Sequence, residues 1–417
     1  MRRSAGQIRK SLFALTTKGI KYDLDRISAA AASIGNPQKA CPAFHVAGTN
    51  GKGSTCAFIE SVLRAAGYAT GLFTSPHITD FEERFRINGR MIGEEEWVAV
   101  YHDLEQCIAV NNLTFFEATM LIGSEVFRRR GVEWAVFETG LGGRLDATNI
   151  LRPQVSVITR VSMDHREYLG NTIGEVMTEK LGIVKETVPL AAVDPETPDL
   201  RKLIQTICGE RNAPFTMVSA QQGAKVCSTA PPVGTSFVHD GHIYTSRLAG
   251  DYQAENALLA ITAIRSAAIG IKPENLQKGI AEAYLPGRFQ QLRISGKTVV
   301  FDVGHNPDAA AVLCRTLRRR YPGKSICFVA GIMADKEYPE MLREYGAVAR
   351  HIICTRPDTG RAATAEMLAS HLSGVSCSVC PAVGGAFDAA LRRPEEVVCV
   401  TGSFYTVGEA SGGLLSE

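Results

Sequence analysis

At 417 residues the chain is too long for a single hydrophobic core, so its length favours two domains. Its 45% hydrophobic and 21% charged residues are typical of a globular protein, and no apolar run approaches the ~20 residues that span a bilayer. The net charge of +2 argues against a nucleic-acid or membrane partner, and the eleven scattered cysteines are typical of a reducing cytoplasm.

Segments typical of strands and of helices alternate along most of the chain, which predicts an α/β protein with largely parallel sheets. In the first half we predict strands at 43–47, 70–73, 135–138 and 155–159, and helices at 55–66, 94–111, 116–130 and 173–185. Residues 222–247 are interrupted by Gly, Pro, Ser and Thr and predict a hairpin or small antiparallel insertion. Two more helices are predicted at 252–268 and 273–283.

A second βα series follows Leu285-Pro286-Gly287-Arg288, which is typical of a hinge. Strands are predicted at 298–303, 325–330, 351–355 and 397–401, with a helix after Pro307. We therefore expect an N-terminal P-loop-type domain (1–286), a linker (287–296) and a C-terminal Rossmann-like domain (297–417).

A glycine-rich turn follows the first predicted strand, with the sequence Gly48-Thr49-Asn50-Gly51-Lys52-Gly53-Ser54. Backbone N–H groups in such a turn, the start of the next helix and the Lys52 ammonium all favour bound phosphate. The turn departs from the standard P-loop, because Val46 occupies the position of its first glycine and Gly53 follows the lysine in place of a hydroxyl residue. The segment therefore predicts a nucleotide-phosphate site of a non-standard kind.

Polar side chains follow three predicted strands: Ser75 comes after 70–73, Glu138 ends 135–138, and His165 comes after 155–159. Because ligands bind at the carboxyl ends of parallel strands, we expect these residues to converge beside the glycine turn. Mg²⁺ favours oxygen ligands and bridges to nucleotide phosphates, which makes magnesium the expected ion. Taken singly, each residue is equally compatible with a turn or a helix cap.

Three further residues carry chemistry that the sequence leaves open. Lys180 lies on a predicted helix, where composition alone indicates a surface lysine. In the second half, Asp302 ends a strand and His305 follows in the turn. Asp302 could accept a hydrogen bond from a ribose hydroxyl and His305 could reach a phosphate or a base, but a plain Asn-Pro turn before a helix is the alternative.

Taken in order, these segments resemble the folylpolyglutamate synthase and dihydrofolate synthase family, a branch of the Mur-type ATP-dependent amide ligases. The resemblance extends almost from end to end of the chain. The matching segments are Leu24-Asp25-Arg26-Ile27, the glycine turn, Thr74-Ser75-Pro76-His77-Ile78, Glu83-Arg84-Phe85, Thr114-Phe115-Phe116-Glu117, residues 138–149, Asp164-His165, Glu179-Lys180-Leu181-Gly182-Ile183, Gln253 with Asn256-Ala257, Pro286-Gly287-Arg288, Asp302 with His305-Asn306-Pro307, and Thr401-Gly402-Ser403-Phe404-Tyr405.

The resemblance implies a role for each matching position. Catalytic roles fall to Lys52, His165 and an N-carboxylated Lys180. ATP contacts fall to Gly51, Lys52, Gly53, Ser54, Asn256, Arg288, Asp302 and His305. Magnesium ligands are Ser75, Glu138 and His165, with two Mg²⁺ ions expected. The pocket for the pterin-containing substrate falls to Thr114, Phe115, Phe116, Glu117, Leu145, Asp146 and Ala147.

The implied reaction is ATP-dependent addition of L-glutamate to dihydropteroate and to the γ-carboxylate of folates, through an acyl phosphate. The expected protein is a cytoplasmic monomer. A monofunctional folylpolyglutamate synthase is the nearest alternative, and a cell-wall muropeptide ligase is disfavoured because segments 74–89 and 114–117 follow the folate pattern. A P-loop nucleotide switch predicts a hydroxyl directly after the lysine, where this chain has Gly53.

Overall fold

A computed structural model describes residues 4–18, 23–195, 197–219, 225–226 and 234–415, and its fold is α/β as the sequence predicts. Within these ranges, no helix combines the length and the apolar character that a bilayer crossing requires. The insertion predicted at 222–247 lies partly outside them, at 222–224 and 227–233.

The α-helices of the described residues pack on both faces of two large sheets. They are α1 (Ala5–Ala14), α2 (Asp25–Ser33), α3 (Lys52–Ala65), α4 (Glu94–Val110), α5 (Phe115–Arg129), α6 (Arg166–Leu169), α7 (Ile173–Leu181), α8 (Pro198–Glu210), α9 (Asp251–Ser266), α10 (Pro273–Glu282), α11 (Pro307–Arg320), α12 (Tyr338–Gly346), α13 (Ala365–Ser370), α14 (Val383–Arg392) and α15 (Phe404–Ser411). Short 3₁₀ turns occur at Leu15–Lys18, Pro37–Lys39, Phe81–Arg84 and Ala147–Ile150.

An eight-stranded sheet organises the first half of the chain. Its strands are β1 (Ala43–Ala47), β2 (Thr70–Phe73), β3 (Phe85–Ile87), β4 (Arg90–Met91), β5 (Trp134–Glu138), β6 (Val155–Ile158), β7 (Leu190–Val193) and β8 (Phe215–Val218), in the spatial order β4-β3-β2-β5-β1-β6-β7-β8. All pairs are parallel except β2–β3 and β3–β4. Because β2, β5, β1 and β6 are neighbours, their carboxyl ends meet at one edge.

The central strands are buried on both faces, which explains their continuous apolar runs. Every residue of β1, β2, β5 and β6 is buried. Helices α3, α9 and α10 cover one face in a cluster that includes Phe44, Val136 and Leu258. Helices α2, α4 and α5 cover the other face, where Phe137, Met120 and Trp97 pack.

A small antiparallel sheet confirms the insertion within its described part. It consists of β9 (Lys225–Val226), β10 (Thr235–His239) and β11 (His242–Ser246). The Asp240-Gly241 turn between β10 and β11 has φ of 48° and 76°, the left-handed values that a two-residue hairpin favours.

A six-stranded sheet organises the second half. Its strands are β12 (Gln290–Ile294), β13 (Lys297–Asp302), β14 (Ile326–Ala330), β15 (His351–Arg356), β16 (Ser376–Ala382) and β17 (Val397–Thr401), in the order β12-β13-β17-β14-β15-β16. Only the edge pair β12–β13 is antiparallel among the described strands. Strand β12 lies inside the range 287–296 that we expected to be a linker, and the domain boundaries stay a prediction.

Two predicted helix boundaries are corrected. Helix α3 begins at Lys52 instead of 55, because Gly51 adopts the left-handed conformation and caps it directly. Helix α7 ends at Leu181 instead of 185, because the Ile183 and Val184 N–H groups donate three residues back, to the Lys180 and Leu181 carbonyls, in place of the i−4 bonds that would continue an α-helix. The free Gly182 and Ile183 carbonyls then accept from the Asn149 amide and the Ser156 hydroxyl.

Candidate active site

The glycine turn lies between β1 and α3, with backbone geometry that suits a phosphate. Gly51 has φ of 91°, and a Cβ at this position would overlap the Asn256 amide oxygen. The Lys52 ammonium donates to the Thr49 carbonyl over 3.2 Å, and Ser54 is buried at the first turn of α3. The free N–H groups of the helix start and the lysine therefore face the same region.

Helix α9 packs against the glycine turn through two amide side chains. The Gln253 amide donates to the Ser54 hydroxyl over 3.3 Å, and the Asn256 amide donates to Gln253 Oε1 over 3.0 Å. Both amide side chains are buried. Asn256 thus lies within contact of the turn, and its role in binding ATP stays a prediction.

Glu138 ends β5 as a buried carboxylate, 3% exposed. The Ser75 backbone N–H, at the end of the neighbouring strand β2, donates to its Oε2 over 3.0 Å. Burial raises the pKa of Glu138, and the nearby cations Lys52, Arg288 and Arg84 oppose that rise. A bound metal cation would further favour the carboxylate form of this buried acid.

Asp164 and His165 follow β6 and contact the second half of the chain. The Lys336 ammonium lies 2.6 Å from Asp164 Oδ1 and 3.3 Å from His165 Nε2. Although burial disfavours its charge, His165 and Lys336 hold the pKa of Asp164 well below its usual range. Burial lowers the pKa of His165 to about 4, so its imidazole is neutral at pH 7 and can act as a ligand.

Lys180 is buried, in contrast to the surface position that its composition indicated. Its side chain crosses from α7 to the glycine turn, where Nζ donates to the Gly48 carbonyl over 2.8 Å. Burial, reinforced by Lys52, lowers the pKa of Lys180 to about 7. A substantial fraction of this amine is therefore neutral, and nucleophilic, near neutral pH.

Three predicted residues of the second half reach the same region. The buried Asp302 carboxylate accepts from the Phe289 and Gly304 backbone N–H groups over 3.0 and 2.8 Å. The Arg288 guanidinium lies over the Phe404 ring, 5.2 Å from its centroid. Burial lowers the pKa of His305 to about 4.

One cavity of about 900 Å³ brings most of the predicted site together. It lies between the two large sheets, and its lining includes Gly51, Lys52, Gly53, Ser54, Ser75, Phe115, Glu138, His165, Lys180, Asn256, Arg288, Asp302 and His305. A cavity of this size is large enough for a nucleotide together with a second small molecule.

Six residues predicted to bind the pterin substrate do not line this cavity. Thr114 caps α5 and pairs with Glu117 in a capping box. Asp146 is buried and accepts from the N–H groups of Gly140 and Leu141, so its carboxylate holds the turn that follows β5 in place. Phe116 packs beside Gly140 of that turn; Phe116 and Leu145 are half-buried, and Ala147 is buried.

The structure adds cavity-lining residues to which we assigned no role. Arg84, Lys336 and Phe13 are the clearest of them. Arg84 stood in a matching segment, and Lys336 follows the predicted strand at 325–330 by a few residues. Arg84 and Lys336 differ from surface cations only in their position on the cavity wall, which the sequence does not show.

A divalent cation fits the donor set at the strand ends, although the described residues contain no group of three or more His, Cys, Asp and Glu side chains placed to hold a metal. Glu138 supplies a buried carboxylate, His165 a neutral imidazole and Ser75 a hydroxyl. Such an open set suits Mg²⁺, which keeps several waters and shares its coordination with phosphates.

Family models match both halves of the chain. Residues 46–264 match the Mur ligase middle domain, and residues 287–404 match the Mur ligase glutamate ligase domain. The dihydrofolate synthase/folylpolyglutamate synthase of Bacillus subtilis is 34% identical over 410 residues, covering 94% of each chain.

Solved structures share the whole fold. Escherichia coli FolC in complex with DHPP and ADP has a TM-score of 0.89 and 32% identity, covering 99% of this chain and 98% of that one. A bifunctional folylpolyglutamate synthase/dihydrofolate synthase with Mn, AMPPNP and L-glutamate bound has a TM-score of 0.86 and 28% identity. That match covers 99% of this chain and 100% of the other.

Proposed function

This chain belongs to the Mur ligase family, in the dihydrofolate synthase/folylpolyglutamate synthase branch, and from that premise we propose that it uses ATP to join L-glutamate to pterin acids. It adds the first glutamate to dihydropteroate and extends the γ-linked tail of folates. The observation that carries the proposal is the single cavity in which the glycine turn, Glu138 and Lys180 face Arg288 and Asp302.

The nucleotide lies along the glycine turn in this proposal. Backbone N–H groups of Gly51, Gly53 and Ser54 and the Lys52 ammonium hold the phosphates. Asn256, next to the turn, and Arg288, Asp302 and His305, from the second half, hold the remainder of ATP. Support comes from their common position on the cavity wall.

Ligation proceeds in two transfers. A carboxylate oxygen of the acid attacks the γ-phosphorus, the bond to the β-phosphate oxygen breaks, and ADP leaves. The neutral amine of L-glutamate then attacks the acyl carbon, phosphate leaves, and the nitrogen loses a proton as the amide forms. Phosphorylation is needed because a carboxylate is a poor electrophile.

Charge neutralisation is the main demand on the protein. At about 4 Å, the acid carboxylate and the γ-phosphate repel by roughly 4 kcal/mol at an effective dielectric near 20. Left uncompensated, this repulsion would slow the reaction about a thousandfold. Lys52 and Arg288, which flank Glu138, offset it.

Ser75, Glu138 and His165 would hold magnesium, and we propose two ions in the site. Bound magnesium supplies positive charge to the phosphate oxygens. Glu138 supplies the anionic ligand, and its burial restricts exchange with water. His165 supplies a neutral nitrogen, consistent with its lowered pKa.

We propose that Lys180 is carboxylated on Nζ. Its neutral amine attacks carbon dioxide, an N–C bond forms, and a proton is released to give an anionic carbamate. The lowered pKa supports the step, because a protonated amine has no lone pair to react. The carbamate would add a negative charge to the metal site, in which Glu138 is otherwise the one anionic ligand that we propose.

The pterin acid enters beside Phe115, which lines the cavity. We propose that Thr114, Phe116 and Glu117, at the start of α5, hold the Phe115 ring in place. Leu145, Asp146 and Ala147 support the opposite turn. A cytoplasmic monomer stays a prediction, which sedimentation at micromolar concentration and cell fractionation would test.

Radiolabelled L-glutamate tests the proposal directly. Purified protein with ATP and Mg²⁺ is offered dihydropteroate in one reaction and tetrahydrofolate in another, with Lys52→Met as the inactive control. We expect labelled product from both acids. Product from tetrahydrofolate alone would identify a monofunctional folylpolyglutamate synthase, and product from neither would refute the proposal.

A further inference from the structure

Arg84 is a buried cation that forms no salt bridge with a carboxylate of the described residues, although the buried Glu138 is near enough to favour its charge. Its side chain lines the cavity, and the whole residue is 6% exposed. The one hydrogen bond that its side chain forms with the described residues runs from Nε to His77 Nδ1, over 2.9 Å. Burial lowers the pKa of Arg84 only to about 10, so the guanidinium keeps its charge at neutral pH.

A buried guanidinium without a salt bridge is unfavourable for the ligand-free protein, and the attraction of Glu138 offsets this only in part. Buried arginines are almost always paired, because the desolvation penalty is large when no anion compensates it. By contrast, the buried Glu125 is paired with both Arg128 and Arg129. The Nη1 and Nη2 groups of Arg84 form no hydrogen bond with any described residue. Both groups can therefore donate to a ligand in the cavity.

Aromatic rings surround this cation. The guanidinium carbon lies 5.2 Å from the centroid of Phe115 and 6.0 Å from that of Phe81. Phe13 stacks on Phe115 at 5.2 Å with an interplanar angle of 21°. Phe13 and Phe115 both line the cavity, so a flat apolar surface and a fixed positive charge adjoin at one end of it.

We infer that Arg84 binds the carboxylate of the acceptor acid, while Phe13 and Phe115 contact its aryl ring. The inference rests on the proposed function and assigns the acid a binding residue. Dihydropteroate carries its carboxylate directly on an aryl ring, which matches a cation placed beside aromatic rings. A folate offers the same chemistry from the carboxylates of its terminal glutamate. The planar guanidinium can hold either carboxylate through two parallel hydrogen bonds.

Calorimetric titration with a non-hydrolysable ATP analogue present tests the inference. The ligands are dihydropteroate, its neutral carboxamide and tetrahydrofolate, and the proteins are wild type, Arg84→Met and Arg84→Lys. Arg90→Met is the matched control, because Arg90 is exposed on β4 and does not line the cavity.

We expect wild type to favour the carboxylate over the carboxamide about tenfold to a hundredfold, the usual range for a buried charge-assisted pair. Arg84→Met should abolish that preference by weakening the carboxylate alone, and Arg84→Lys should retain part of it. The ATP analogue should bind all four proteins within about twofold. Weakening of tetrahydrofolate, of dihydropteroate or of both identifies which acid uses Arg84.

Thermal unfolding separates this role from a structural one. Because Arg84→Met removes a buried charge that has no salt bridge, the ligand-free variant should have a Tm equal to or above that of wild type. A lower Tm would show that Arg84 stabilises the fold, and the inference would fail. Unchanged affinity for both acids, or an equal loss for carboxylate and carboxamide, would also overturn it. Wild-type protein that binds neither acid would instead refute the proposed function itself.

Discussion

Lys180 lies in an environment that strongly disfavours its ammonium form. In an unfolded chain its pKa is near 10.5, and burial lowers it to about 7 in the fold. The unfolded state therefore binds more protons between these values, and folding stability rises with pH across that window. Below pH 7 the destabilisation is complete, at about 1.4 kcal/mol for each pKa unit.

The first prediction concerns stability. Lys180→Met should raise the free energy of unfolding by several kcal/mol at pH 6 in carbonate-free buffer, because methionine has a similar size and carries no charge to bury. The gain should shrink toward zero near pH 10. Urea unfolding at the two pH values measures it, with the exposed Lys10→Met as control. An equal gain at both values would show that Lys180 titrates normally.

The second prediction concerns turnover. Lys180→Ala should lose about a hundredfold or more in kcat, the range seen when a preorganised charge is removed from an active site. Added short carboxylic acids should restore part of it by replacing the carbamate. In wild type, ¹³C-labelled bicarbonate should give a carbamate signal that the variant lacks. Full activity of the plain variant would eliminate the carbamate role.

At the scale of elements, the glycine turn and helices α3 and α9 form one unit. Gly51 is required twice, for its φ of 91° and for the space that Asn256 occupies. Gly67, after α3, has a similar φ of 97° and open space around it. An alanine at Gly67 would therefore cause backbone strain alone, whereas an alanine at Gly51 would cause strain and steric overlap.

The third prediction uses this pair. Gly67→Ala should lower stability by about 1 kcal/mol through strain alone and leave the KM for ATP unchanged. Gly51→Ala should show similar strain and raise that KM at least about tenfold, because the new methyl group displaces Asn256 from the turn. Steady-state kinetics and thermal unfolding of both variants measure the difference. An equal KM in the two variants would dissociate Asn256 from nucleotide binding.

The sequence predicts central elements better than edges. Strands β1, β2 and β17 have their predicted bounds, because each is a short apolar run between turn residues. Edge strand β16 was missed because nearly all of its residues are exposed, and β12 because it lies where a hinge was expected. Such strands depend on pairing with a neighbour, which no local pattern records.

The candidate site shows the same limit. Residues at strand ends, such as Glu138, were placed correctly because the carboxyl edge of a parallel sheet follows from topology. The Asp146 carboxylate accepts from backbone N–H groups of the Gly140–Leu141 turn, contacts that the sequence did not indicate, and its place in the substrate pocket stays a prediction. Burial of Lys180 and the absence of a salt bridge to Arg84 among the described residues depend on residues distant in the chain, so the sequence could not predict them.

At the scale of the whole molecule, the two halves contact each other through the catalytic elements. Asn50 in the glycine turn exchanges amide hydrogen bonds with Asn306, over 3.0 and 3.3 Å, and also donates to Asp308. Asp164 pairs with Lys336, whose side chain is 8% exposed. These contacts complete the cavity and restrict water, which would hydrolyse an acyl phosphate.

The fourth prediction concerns this closure. Lys336→Met leaves Asp164 buried without its ion-pair partner, a loss that typically destabilises by 3–5 kcal/mol. We expect the halves to separate and the radius of gyration from small-angle scattering to increase in the variant. Lys324→Met, which removes an exposed pair with Glu396 inside the second half, is the control. Identical scattering from both variants would show that this pair does not hold the halves together.

Oxygen transfer from acid to phosphate tests the central claim most directly. Dihydropteroate labelled with ¹⁸O in its carboxylate is incubated with the protein, ATP, Mg²⁺ and L-glutamate, and the released phosphate is analysed by mass spectrometry. The account predicts one ¹⁸O atom in the phosphate for each amide bond formed, and no ADP release when the acid is omitted. Unlabelled phosphate, or ADP release without the acid, would contradict it.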